Sequence, residues 1–241
     1  MHPVVDTWVY LSASPLLWLT LTLVAYLFAF ALYQKSGFNP LVNPVAIAIL
    51  VLLAVLLGTH TSYQTYFDGA QFVHFLLGPA TVALAVPLYE NWEKLREHWV
   101  ALAIALLVGV IVASGSAVLI GHALGASPKT LASLAPKSVT TPVAMGISEK
   151  LGGIPSLTAV CVVITGIVGS TLARGVLNLM RIPDHSVRGF ALGLAAHGQG
   201  VARAFLVSEE MGAFAGLSMG LAALTSALLL PFFARWLLSL I

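Results

Sequence analysis

From Val9 to Tyr33 the chain runs without one acidic or basic residue, and a comparable stretch returns from Val100 to Gly121. A run of that kind matches a helix crossing a hydrocarbon layer of about 30 Å, which takes roughly 20 residues. A helix on the surface of a soluble core carries a charged face, and these carry none. Composition agrees: of 241 residues 59% are hydrophobic and 8% charged, against about 25% charged in ordinary soluble domains. So little charge cannot cover a soluble globule, so most of the surface must meet lipid or other helices. We therefore expect an all-α polytopic membrane protein, one transmembrane domain over residues 1–241. It has room for about seven spanning helices plus one re-entrant or broken segment.

The same numbers exclude whole classes of function. With 11 Lys+Arg against 9 Asp+Glu and no basic run, nothing could track a phosphate backbone, so no nucleic-acid partner is expected. Cys161 stands alone in an apolar run, where a thiol is a small hydrophobe without a disulfide partner. The opening MHPVVDTW lacks the basic start and small-residue cleavage site of a signal peptide, so the first helix is expected to be retained. HExxH, metal-ligand clusters and a Walker loop are absent from the sequence. We expect no enzyme, no cofactor and no metal.

Three interior stretches break the helical pattern. Gly78 and Pro79 stand mid-way in the segment Ala70–Tyr89, beside Thr81, where proline removes a backbone hydrogen bond and disfavours helix in the residue before it. Residues 131–150 contain Pro136, Lys137, Ser138, Thr140, Thr141, Pro142, Glu149 and Lys150, too many breakers and polar groups for a regular helix in lipid. Irregular backbone at membrane depth needs protein or a water-filled cavity around it, so this segment reads as re-entrant. The third stretch, Val187–Val207, reads as an interrupted span in which Gly193, Gly198 and Gly200 surround His197 and Gln199, with Arg203 one turn on.

If 131–150 re-enters while the other segments cross, Lys35, Lys94, Arg96, Arg181, Arg188 and Arg235 share one face and Lys129 lies on the other. The positive-inside rule then places the N-terminus outside and the C-terminus in the cytoplasm. Residues 44–124 and 154–238 each read as span, interrupted span, span, and run in opposite directions under this topology. Inverted repeats with paired broken helices are a common transporter plan, with the substrate site where the breaks meet.

Ionisable groups at membrane depth cost about 2.5–3.5 kcal/mol on insertion scales, so they are functional candidates. Lys137, Ser138, Thr140 and Thr141 offer a cation, hydroxyls and freed backbone amides, a set that suits a small carboxylate. The alternative is a lysine that snorkels to the interface while the hydroxyls cap helix ends. His197, Gln199 and Arg203 offer a titratable group, an amide and a fixed cation, with glycines admitting a ligand close to backbone. The alternative for His197 is a satisfied structural histidine. The substrate-binding candidates are thus Lys137, Ser138, Thr140, Thr141, His197, Gln199 and Arg203. The backbone of the breaks is supplied by Gly78, Pro79, Thr81, Pro136, Pro142, Gly198 and Gly200.

FLLGPATVALAVPLY, LAPKSVTTPVAMGISEKLGGIPSLTAV, RGFALGLAAHGQGVARA and EEMGAFAGLSMGL together resemble the LrgB/CidB family, from about Asn39 to the C-terminus. The family is also similar to the C-terminal half of the plastidial glycolate/glycerate transporter of plants. The resemblance implies a multi-pass protein of the bacterial inner membrane that carries small 2-hydroxy or 2-oxo monocarboxylates such as glycolate, glycerate, lactate or pyruvate; as a titratable group, His197 is the candidate for coupling a proton. It also implies a small LrgA/CidA-type membrane partner and a homo-oligomer in the lipid bilayer. A rival reading within the same family is an antiholin-like regulator of murein hydrolase activity and lysis. The runs GIVGS (Gly166–Ser170) and GLSMG (Gly216–Gly220) would suit such an assembly by close helix packing. One departure is AAHGQG, where many family members carry Ser or Thr before the histidine and this chain has Ala195 and Ala196.

Overall fold

The structure is a computed structural model that describes residues 14–39, 41–76, 79, 82–83 and 85–240. Gly78 and Thr81 of the expected Gly-Pro break lie outside them, and Pro79 is helical and exposed. Every regular element among the described residues is α-helical, as expected of a polytopic membrane protein, and the chain falls into two compact units, Met1–Ala83 and Leu84–Ile241. The unit boundary lies inside the stretch 44–124 that was expected to form one repeat.

The first unit holds α1 (Pro15–Lys35), α2 (Pro44–Gly58) and α3 (Tyr63–Phe75). Proline opens α1 and α2, where its missing N–H is no loss, and the Asn43 side chain caps α2 by accepting from the Val45 and Ala46 amides. Trp18 is fully buried and meets Tyr66 edge-on at 6.0 Å. A Cβ on Gly69 would stand 2.2 Å from the Pro15 carbonyl oxygen, so α1 and α3 touch backbone to backbone there.

The second unit holds α4 (Ala85–Glu90), α5 (Trp92–Ala123), α6 (Pro128–Leu134), α7 (Thr141–Lys150), α8 (Pro155–Leu179), α9 (His185–Phe205) and α10 (Glu209–Leu238). Among the described residues four helices, α1, α5, α8 and α10, are long and apolar enough to cross a membrane. Large apolar side chains such as Val108, Val112, Leu224, Leu228 and Phe232 remain exposed along α5 and α10, as lipid-facing surfaces require.

Helix direction follows from contacts at the ends. Lys94, at the start of α5, pairs with Glu210 at the start of α10, while Val118, Ala234 and Leu237 pack together near their far ends. These two helices therefore run side by side in the same sense. The α8 helix runs against them: the Ile154 amide before it donates to the Ser133 hydroxyl at 2.8 Å, and Asn178 at its end accepts from Arg188 at 2.9 Å. We call the two ends of this unit the Lys94 end and the Arg235 end.

Between α5 and α8 the chain enters from the Arg235 end and returns to it. The fully buried Thr158 hydroxyl joins the two arms, lying 3.0 Å from the Ser133 carbonyl of α6 and 2.7 Å from the Ser148 hydroxyl of α7. Arg235 donates to the Lys150 carbonyl at 3.3 Å.

The segment expected to cross at 187–207 also returns. His185 at the start of α9 and Ser208 just past its end are joined at 2.8 Å, and Lys94 pairs with both Asp184 and Glu210. A straight helix over this length would hold its ends about 30 Å apart. The helix instead folds sharply at His197, and a Cβ on Gly200 would stand 2.3 Å from the Leu192 carbonyl oxygen of the other arm. Because α9 does not cross, α10 starts at the Lys94 end and Arg235 lies opposite Lys94, Arg181 and Arg188. The expected grouping of Arg235 with those residues is thereby corrected. Within this unit, α5 followed by the α6–α7 hairpin and α8 followed by the α9 hairpin are one motif repeated in opposite senses.

Candidate functional site

The two hairpins point at each other. In α9, the arm from His185 to Ala196 is about 18 Å long and the arm from Gly198 to Phe205 about 12 Å, which carries its tip near the middle of a hydrocarbon layer of about 30 Å.

The first tip is the turn between α6 and α7. The Lys137 amide donates to the Leu134 carbonyl and the Val139 amide to the Pro136 carbonyl, both at 3.1 Å, so the backbone satisfies part of its own need while leaving the helix. Pro136 is fully buried, and Pro142 starts α7 from the exposed side. Lys137 and Ser138 are half-buried, and the ammonium donates to the Ser138 hydroxyl at 3.3 Å. Thr140 occupies the N-cap of α7 without a side-chain capping bond, and Thr141 follows it, both half-buried. The N-terminus of α7 therefore offers amides beside a cation and hydroxyls.

The second tip is His197. Its backbone sits at φ 41, ψ −131, in the left-handed half of conformational space where a non-glycine residue is strained by about 1–3 kcal/mol. The ring holds it there. His197 is buried and its Nε2–H donates to the Val162 carbonyl of α8 at 3.0 Å. Next to it Gln199 donates to the Val163 carbonyl at 3.4 Å, while its Oε1 is buried without a partner. A notch in α8 admits both: a Cβ on Gly166 would stand 2.8 Å from His197 Cε1 and 2.9 Å from Gln199 Cδ. Gly169 does the same for Ala196, which is fully buried with its Cβ at 2.9 Å from that position. Of the two alanines before the histidine, Ala195 is exposed and Ala196 is a packing contact. Gly198 is exposed, Gly200 is buried between the arms, and Arg203 is half-buried one turn beyond Gln199.

The structure thus brings together Lys137, Ser138, His197 and Gln199. Lys137 is the common electrostatic neighbour of His197 and of the Cys161 thiol. The expected contribution of Gly78, Pro79 and Thr81 falls in the other unit, with Gly78 and Thr81 outside the described residues. Among the described residues no three His, Cys, Asp or Glu side chains are placed to hold a metal ion.

Sequence reasoning missed two residues. Beside the first tip lies a cavity of about 10 Å³, room for a single oxygen-sized group, lined by Ser114 of α5, Ser138, Val139, Leu194 and Ser226 of α10. Ser114 and Ser226 are 2% and 1% exposed, and neither hydroxyl has a hydrogen-bond partner. A serine in an apolar helix ordinarily bonds a carbonyl of the preceding turn, and that bland role is what each looks like in sequence.

At the Lys94 end an ionic clasp closes the foot of α9. Asp184 caps the helix by accepting from the Val187 amide at 3.0 Å, accepts from the Ser186 hydroxyl, and pairs with Lys94 at 3.2 Å. The Ser186 and Val187 hydrogen bonds, with Lys94 beside them, hold its carboxyl well below the ordinary carboxylate range.

The LrgB-like family pattern matches residues 22–236. The protein YwbG of Bacillus subtilis is 36% identical over 214 residues, covering 89% of this chain and 95% of that protein. The holin-like protein CidB of Staphylococcus aureus is 35% identical over 216 residues, covering 90% and 94%. CidB of Staphylococcus epidermidis is 33% identical over 225 residues, covering 92% and 96%. No solved structure matches the chain. Long apolar helices, two opposed hairpins and a match that runs nearly end to end lead to one statement: the chain belongs to the LrgB-like family, as a multi-pass bacterial membrane protein.

Proposed function

We propose that this protein is a secondary transporter of small monocarboxylates of the glycolate, glycerate, lactate or pyruvate type, built around the two hairpin tips. The observation that carries the reading is that two broken segments enter the second unit from opposite ends and meet, with Leu194 of the second beside Ser138 and Val139 of the first. Opposed broken elements meeting at mid-depth suit alternating access, because either hairpin can withdraw while the other seals. A buried cation among hydroxyls and helix amides suits one carboxylate, since the anion offsets the cost of keeping Lys137 in a low dielectric.

In this reading Lys137, Ser138, Thr140 and Thr141 hold the carboxylate, Arg203 supplies a second cation on the path, and Gln199 contributes an amide. His197 sets the shape of the second tip and is the group through which a proton would couple. No cofactor or enzymatic step is invoked. The partners in this reading are a small LrgA/CidA-type membrane protein and further copies of the chain.

The basic residues Lys94, Arg96, Arg181 and Arg188 gather at the Lys94 end, which we read as cytoplasmic. With α9 returning instead of crossing at 187–207, α10 ends on the opposite face.

The rival reading, a regulator of lysis acting with a holin-like partner, is favoured by the printed name of the CidB relatives. Its sequence support is weakened at Gly166, Gly169 and Ser218, which are occupied by packing within the chain, while Gly220 stays open. The deciding experiment is uptake of labelled glycolate and pyruvate into proteoliposomes, with and without a pH gradient and the small partner. Saturable uptake that Lys137→Gln, Arg203→Ala and Thr140→Val each reduce at least tenfold supports transport. Absence of uptake under every condition gives the rival precedence.

A further inference from the structure

The cavity at the first tip holds a feature that carboxylate binding does not use. Ser114 and Ser226 come from two different spanning helices, and each presents a buried, unpartnered hydroxyl beside the same small space. A buried hydroxyl without a partner costs stability, so its retention on both walls calls for a ligand that satisfies it. The third hydroxyl in the lining, Ser138, already accepts from Lys137 at 3.3 Å, which fixes the side from which a negative charge would approach. The rest of the wall is apolar, including Val110, Val139, Leu194 and Leu230. Nothing acidic lines the space, and an ammonium stands behind Ser138, so a metal cation is a poor fit. The space takes about one water-sized group, with about 10 Å³ for its centre.

We propose that Ser114 and Ser226 form the pocket for the oxygen on the second carbon of the transported acid, and so set a preference for 2-hydroxy and 2-oxo acids over plain ones. The inference rests on the transport reading given above and adds to it the residues that determine selectivity. With the carboxylate at Lys137 and Ser138, the neighbouring carbon and its oxygen point between α5 and α10. A serine hydroxyl donates to an oxo group and accepts from a hydroxyl, so one pair of serines serves both acid types. A plain acid such as acetate leaves both hydroxyls buried and unpaired, which is the arrangement by which a polar site rejects an analogue lacking one oxygen.

The test compares glycolate with acetate, which have the same carbon count and differ by that one oxygen. Unlabelled glycolate and acetate compete against labelled glycolate uptake by wild-type protein and by the Ser114→Ala/Ser226→Ala double variant in proteoliposomes. The wild type is expected to prefer glycolate, and the double variant to lose at least tenfold of that preference. The thermal midpoint of the double variant in detergent should be unchanged or higher, because no satisfied hydrogen bond is removed. A glycolate-dependent rise in the midpoint, present in wild type and lost in the variant, reads binding apart from flux. If the double variant does not fold, each single alanine is read the same way, with a loss of about threefold.

A folded variant that transports with its glycolate preference intact overturns the inference and leaves the transport reading standing; the hydroxyls then serve only water. Wild-type protein that neither takes up nor is stabilised by either acid overturns both.

Discussion

The two hairpins reach the same place by opposite means. The first breaks over six residues, Ala135 to Thr140, with Pro136 inside the turn and Pro142 restarting the helix, so its departure from helix is written into the residues that make it. The second breaks at one residue that is neither glycine nor proline, and His197 adopts its backbone only because α8 holds the ring. Local chemistry opens the first hairpin, and tertiary contact opens the second. A break of the first kind survives changes in its neighbours; one of the second kind fails when the neighbour changes.

The second hairpin is most vulnerable at Gly200. Alanine there would push a Cβ against the Leu192 backbone carbonyl, which has no room to yield, so Gly200→Ala should cost about 3 kcal/mol or more and abolish folded protein in detergent. Next is the ring itself. Removing it in His197→Ala leaves the strain without its restraint, and a loss of about 2 kcal/mol with collapse of uptake is expected by thermal melting and transport. His197→Gly sharpens the point: it loses the same bond but accepts the backbone angle, so it should be about 1 kcal/mol more stable than His197→Ala. In the first hairpin, Pro142→Ala should cost under about 1 kcal/mol, since proline there only pre-sets a helix start.

The smallest effect belongs to the clasp. Lys94 and Asp184 are 36% and 43% exposed, so Asp184→Asn, which keeps a capping side chain, should cost below about 1 kcal/mol. Because the folded state holds the Asp184 carboxyl below its unfolded value, its contribution is complete above about pH 4 and fades as pH falls further. Wild type and Asp184→Asn should therefore converge in melting temperature on acidification.

This contrast also explains what could be read from sequence. Pro136, Lys137, Ser138, Thr140 and Pro142 announce a break because breakers and polar groups coincide there, and the helix stops between Leu134 and Thr141. Spanning character was legible in the uncharged runs. The glycines around His197 signalled an interruption, but not that the chain turns back. That depends on Gly166 in α8 giving space to the ring, and on Gly189 and Gly193 meeting the backbone of α10 at Met211 and Ala215. Those contacts join residues far apart in the chain, and no local window contains them. Reading the segment as crossing then misplaced Arg235. Ser114 and Ser226 escaped notice for a related reason: only the fold shows that they face one space.

Lys94 has a consequence for movement. One ammonium grips a carboxylate on each foot of the α9 hairpin, Asp184 on the incoming side and Glu210 just past the outgoing side. If the hairpin tilts so that one foot lifts, the lysine keeps its hold on the other and the charge never stands alone. The clasp therefore ties both feet of the hairpin to a single residue of α5.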